Sequence, residues 1–284
     1  MLYVDSELRV VPNECNVLTT DTLSNSKGNK EKTGEIMFET FGTPKLYLAP
    51  QSVLSMMASG RFTGIICDSG EGETHVALIH QGGCPSHTSF RLNLGGSDLT
   101  AYFQRMLHEQ DYHFARGIAP DVVRDMKEKL AFVALDYDSE LKNDESSQSY
   151  QLPDQREISV GTARFQCAEA LFHPDLAAVD QKGIHQLVFQ SIMKSDIFIR
   201  RELYNNIVMS GGNTMFKGIK ERMQKDLKLL APDGVTVKVI APAERAHSAW
   251  IGGSILGSSL LEETWTTKSE YDEFGSSIVL KKYN

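Results

Sequence analysis
The chain has 284 residues, 41% hydrophobic and 23% charged, the balance of a globular protein with room for one large domain or two smaller ones. Its 29 basic and 37 acidic side chains leave a net charge of −8, which argues against a nucleic-acid surface, because neutralising phosphates needs clustered Lys and Arg. No run approaches the ~20 apolar residues of a membrane span, and "MLYVDSELRVVP" lacks the basic start and apolar core of a signal peptide.

In chain order, residues 11–30 are polar, punctuated by Pro12, Asn13, Asn25 and Gly28, and read as loop. Ile36, Phe38 and Phe41 predict a short helix. "PQSVLSMMASG" (50–60) places Pro50 at a helix start and Gly60 just past its end. "TGIICDSGEGETHVALIH" (63–80) reads as two strands joined by a glycine-rich turn. From Asp98, Leu99, Phe103, Met106 and Leu107 recur at helical spacing, and Pro120-Asp121 opens a helix carrying Val123, Met126, Leu130 and Val133. Tyr137 to Val160 is the most polar stretch and reads as a solvated surface excursion. Ile184, Leu187, Val188 and Ile192 mark another amphipathic helix. The strand "NNIVM" runs into "SGGNT" (210–214), followed by a helix with Ile219, Met223, Leu227 and Leu230. "VTVKVI" (235–240) is a strand and "AWIGGSILGSSLLEE" (249–263) a closing, Gly-rich helix. Strands and helices alternate, so the predicted class is α/β.

Two strand-to-glycine junctions stand out, Asp68-Ser69-Gly70-Glu71-Gly72 and Ser210-Gly211-Gly212-Asn213-Thr214. Bare amides in such turns suit an oxyanion, and α/β sheets place ligands at strand ends, although a glycine turn also serves structure alone. Asp68 is either a hard carboxylate for a magnesium-bound water or a turn aspartate bonding its own backbone. His75 either positions a water or is simply packed. His75 and His80 lie five apart on one strand and face opposite sides, so they make no zinc pair. Cys15, Cys67, Cys84 and Cys167 show no CxxC spacing and read as free thiols of a reducing compartment, cytosol or nucleus.

Longer strings carry a resemblance. "IMFETFGTPKLYLAPQSVLSMMASGRFTGIICDSGEGETH", "VVRDMKEKLAFVALD", "MSGGNTMFKGIKERMQKDLKLLAP", "WIGGSIL" and "KSEYDEFGSSIV" resemble the actin family, in order, from Glu7 to Val279. The resemblance implies an actin-like ATPase fold with two ribonuclease-H-like lobes around a nucleotide cleft. Residues 1–58 and 248–284 would form the remnant of a first lobe. Residues 59–247 would form the second, with 59–94 and 183–247 as its inner and 95–182 as its outer subdomain.

The cofactor implied is ATP or ADP with Mg2+. Asp68 would face the cation through water, and Gln51, His75 and Asp68 would serve hydrolysis. Ser69, Gly70, Glu71 and Gly72 would meet the phosphates. Gly96 and Asp98 would lie near the ribose and the cleft mouth. Lys127, Glu128, Gly211, Gly212, Met215 and Phe216 would surround the ribose and base. Read without the resemblance, Lys127 and Glu128 are more readily surface charges at the edge of an apolar face. Implied partners are actin or further copies in filaments, and actin-binding proteins at a groove near Met56 and Met57. Those methionines otherwise read as core filler. The implied location is cytoplasmic and cytoskeletal, with no nucleic-acid partner and no membrane span.

The sequence departs from the family pattern. By the resemblance, its first residues correspond to a point about a quarter of the way into the family chain, so the expectation is a truncated first lobe without the first phosphate hairpin and the small outer subdomain. Glu71 replaces an aspartate, Glu73 a valine, Ala246 a lysine near the base, and Leu176 to Val179 stand where bulkier residues are usual. Charge-assisted hydrogen bonds are worth roughly 1.5–3 kcal/mol each, so losing about four predicts several decades of lost ATP affinity and impaired hydrolysis. Two functions follow as expectations: an ATP-binding filament subunit with impaired turnover, or a non-catalytic protein that binds actin or actin-binding partners.

Overall fold
The structure is a computed structural model that describes residues 10–110, 118–143 and 147–283. It divides into two compact units, residues 1–60 with 249–284, and residues 61–248.

The first unit opens with strand β1 (Val17–Asp21) and helix α1 (Lys27–Glu35), in the stretch that composition predicts to be loop. Pairing overrides composition here. β1 lies parallel to β2 (Lys45–Pro50), with Val17 opposite Leu46 and Asp21 opposite Pro50. Ser26 caps α1 by accepting from the Asn29 amide. The helix continues into a π-helical turn, Ile36–Thr40, which buries Phe38. Helix α2 (Gln51–Ala58) follows Pro50 and ends before Gly60, whose φ of 71° makes the expected turn. Met56 is fully buried, so core filling wins over the groove for that residue; Met57 is half-buried.

The second unit begins with the predicted hairpin, β3 (Gly64–Ser69) and β4 (Thr74–Ile79), followed by β5 (Phe90–Leu92). Helices α3 (Gly96–Gln110) and α4 (Pro120–Leu130) come next; Val133 is buried but lies beyond the end of α4. The stretch expected to be a solvated excursion holds helix α5 (Tyr137–Leu141) and a hairpin, β6 (Gln148–Gln151) with β7 (Glu157–Val160). Its exposed positions alternate with buried Ile158 and Val160, which is why composition alone conceals it. Then follow α6 (Ala163–Glu169), α7 (Ile184–Lys194), α8 (Arg200–Asn205), β8 (Ile207–Ser210), α9 (Ile219–Leu230) and β9. Only Val239–Ile240 of the predicted strand 235–240 pairs, forming β9.

The five-stranded sheet has the order β5-β4-β3-β8-β9. Central β3 pairs antiparallel with β4 and parallel with β8, and Ile65, Ile66 and Cys67 have no exposed surface. This order sets the C-terminal ends of β3 and β8 side by side, where both glycine loops emerge. The four cysteines are free, and burial pushes the Cys67 and Cys167 thiols up to about 12.

The chain closes with α10 (Ser248–Ser259), β10 (Thr266–Thr267), α11 (Lys268–Phe274) and α12 (Ser277–Lys282). β10 completes a sheet of order β1-β2-β10. A Cβ at Gly252 would lie 1.9 Å from the Leu54 carbonyl oxygen, so glycine lets α10 seat against α2. Phe38 stacks on Tyr271 at 4.7 Å inside a small core with Leu46, Leu48, Ile278 and Val279.

One buried ion pair ties α6 to α9. Arg222 Nη1 and Nη2 donate to the two oxygens of the fully buried Glu169 carboxylate at 2.9 and 2.7 Å. Nη1 also donates to the Ala134 carbonyl and Nε to Asp226, so each polar group has a partner. Burial holds the Glu169 carboxyl above the usual carboxylate range, and Arg222 pulls it back. Arg222→Met removes that pull and leaves a lone buried carboxylate. The loss is full where Glu169 must stay charged, and fades as pH falls and the carboxyl is protonated. Urea unfolding should show a loss of about 3–5 kcal/mol at pH 7 and a smaller one at pH 5.

Candidate functional site
The β3–β4 turn, Gly70 to Glu73, is closed by the Gly70 amide donating to the Glu73 carbonyl at 3.2 Å. The turn is seated on the start of α3. Gly96 N donates to Gly70 O and Ser97 N to Glu71 O, both at 2.9 Å, and Ser97 Oγ adds a bond to Glu71 O at 3.0 Å. Two amides that a helix start leaves unpaired are therefore satisfied by the turn. The approach needs glycine at 95, where a Cβ would lie 2.4 Å from the backbone Glu71 O; at Gly96 the nearest atom is the movable Glu71 Oε2. Asp98 Oδ2 accepts from the Gly95 amide at 2.8 Å, so this predicted ribose-side residue acts as a helix cap.

The second glycine loop leaves β8 with Ser210 paired to Asp68. Gly211 has φ 89°, and a Cβ there would meet Ser69 O at 2.2 Å. Asn213 Nδ2 donates to Ser69 Oγ at 3.1 Å and to Gly70 O at 2.7 Å, cross-linking the two loops. Ser69 Oγ also lies 2.7 Å from Thr74 Oγ1, so its hydroxyl is engaged within the hairpin. Arg245 donates Nε and Nη2 to Thr214 O, and the Gly211 amide donates to Arg245 O, which braces the loop from behind.

Seven predicted residues meet in one cavity of 330 Å³ within the second unit: Gly70, Glu71, Lys127, Glu128, Gly212, Met215 and Phe216. Asn213 and Ala246 complete its lining. Sequence reasoning did not propose Asn213 as a site residue; an amide directly after two loop glycines was the available signal. Lys127 is 2% exposed and donates Nζ to Gly96 O at 2.8 Å, which overturns the surface-charge reading for it. Burial holds its ammonium below the usual lysine range, against the opposing pull of Cys167, Glu71 and Glu128. Glu128 is exposed at the rim. Among the described residues, the Glu71 and Gly72 amides have no hydrogen-bond partner.

Ser69, Gly72, Gly96, Asp98 and Gly211 do not line this cavity; they build the loops that frame it. Gln51 belongs to the first unit, where its side chain bonds Thr20 Oγ1 at 3.3 Å. Asp68 sits at the end of β3, and its carboxylate takes a bond from Ser210 instead of its own backbone. Burial raises its carboxyl above the usual range, while Ser210 and His75 pull it down. No group of three His, Cys, Asp or Glu among the described residues forms a metal cage. A single buried carboxylate fits magnesium that keeps most of its waters.

The family model described as Actin matches residues 2–284. The chain belongs to the actin family. Its mixed α/β architecture is the actin-like fold, and actin-family proteins in general bind ATP or ADP with Mg2+ and belong to the cytoskeleton. Among the described residues no helix is long and apolar enough to cross a membrane.

Because the Asp68 carboxyl is raised by burial, its charge destabilises the ligand-free fold above the folded-state value and not below the unfolded one. Asp68→Asn should therefore raise the thermal midpoint of the nucleotide-free chain at pH 7.5, with the gain shrinking toward pH 5. Each kcal/mol recovered moves the midpoint by about 2–4 °C in a domain of this size, a shift that scanning calorimetry reads.

Proposed function
We propose that this chain is an actin-like filament subunit whose second unit binds a purine nucleotide in the 330 Å³ cavity with low affinity and impaired hydrolysis. The observation that carries the reading is the convergence of four separate segments on one cavity: 70–71, 127–128, 212–216 and 246. Phe216 and Met215 offer apolar faces to a base, Lys127 and Glu128 suit a ribose, and the unpartnered Glu71 amide at the cavity, with that of Gly72 beyond its lining, would serve phosphate oxygens. Asp68 would hold Mg2+ through its water shell, and the ion would supply the positive charge a polyphosphate needs. Within the second unit, His75 is the proposed water-orienting group.

Low affinity follows from the donors. The Gly70 amide already closes the turn, and the Glu71 carboxylate brings like charge against phosphate. That carboxylate also favours a second reading, a non-catalytic partner of actin or of actin-binding proteins. Isothermal titration of the 284-residue chain should give a MgATP dissociation constant weaker than 1 µM, a value on the order of −8 kcal/mol. Lys127→Met should weaken it a further ~10-fold, the worth of one charge-assisted bond. A submicromolar constant overturns the low-affinity reading. Pelleting with MgATP, alone and with ordinary actin, separates the subunit from the partner: the subunit sediments alone, whereas the partner sediments only with actin.

A further inference from the structure
The hairpin carries a charge arrangement in which Glu73 and Arg91, which the nucleotide reading leaves unused, meet Asp68 and His75, which it uses. Asp68 pairs across the strands with His75, and His75 pairs with Arg91 on β5. Directly opposed residues share one face of a sheet, so the three side chains form a row. Glu73, two residues before His75 and so on the same face, reaches back over that row. Its Oε1 lies 2.5 Å from His75 Nε2, and its Oε2 lies 2.6 Å from Arg91 Nε. The His75 side chain is 11% exposed, which leaves it little room to turn away.

A carboxylate only accepts hydrogen bonds, so the ring nitrogen it touches carries the proton. In the neutral ring the lone pair then belongs to Nδ1. That atom has no hydrogen-bond partner among the described residues, so its lone pair is open to accept one. We propose that Glu73 is a positioning residue: braced by Arg91, it fixes His75 with the proton on Nε2 and leaves Nδ1 as the acceptor for a water beside Asp68. The tautomer stands on this geometry alone. What the water does rests on the nucleotide reading, in which an oriented imidazole acceptor helps aim the attacking oxygen.

The test is long-range 1H–15N correlation of the 15N-labelled full chain without nucleotide at pH 8.5, with His75→Gln to assign the ring. Wild type and Glu73→Gln, whose amide oxygen still accepts, should show the Nε2–H form. Glu73→Val should show the Nδ1–H form or a mixture, with Glu73→Ala serving where the valine variant does not fold. An Nδ1–H ring in wild type, or an unchanged ring in the apolar variants, overturns the proposal. For turnover, the apolar variant should lose about 10-fold in MgATP hydrolysis with KM little changed, and Glu73→Gln should recover most of it. Unchanged turnover with an altered ring overturns the positioning role. If wild type itself hydrolyses no MgATP, the hydrolytic part of the nucleotide reading falls, and the ring signature still decides whether Glu73 fixes His75.

Discussion

The seating of the Gly70–Glu73 turn on the first amides of α3 is the contact on which the site depends. A net hydrogen bond is worth about 1 kcal/mol, and an unmade buried one costs about 1–3; the Gly96 amide is buried, so its bond to Gly70 O is the one the turn cannot forgo. The two amide–carbonyl bonds depend on residue 95 lacking a Cβ, and the same steric rule at Gly211 brings the second loop against Ser69. Asn213 then joins turn to loop, and the cavity wall follows from these few atoms.

Burial acts on the charges around this wall in opposite directions. Asp68 is pushed toward its protonated form and Lys127 toward its neutral one, both by the loss of water. Groups held away from their ordinary titration by burial are the ones a charged ligand relieves. A cation near Asp68 and an anion near Lys127 would each restore the charged form. The site is consistent with a metal–polyanion pair arriving together and less so with either alone.

Much of this was readable from the chain. The β3–β4 hairpin shows as two apolar runs around clustered glycines, and α3, α4, α7 and α9 show as apolar positions at three- and four-residue spacing. What stayed hidden was set by tertiary contact. β1 is Val-Leu-Thr-Thr-Asp, too polar to announce itself, and exists because β2 pairs along its length. The 148–160 hairpin turns only a few side chains inward, so its polar face dominates the composition. Lys127 looks like any charge at a helix edge until the Gly96 carbonyl is there to receive it. The role proposed for Gln51 comes from resemblance alone, whereas for His75 the sequence by itself leaves a water-positioning and a packing reading side by side.

The two sealed thiols have a practical consequence. With values near 12, Cys67 and Cys167 hold a thiolate fraction on the order of 1 in 10⁴ at pH 8, so electrophiles pass them by while the second unit stays closed. Cys15 and Cys84 lie only part-covered. A slow alkylation phase following a fast one would therefore time the opening of the 61–248 unit, a clock built into the chain without any added probe.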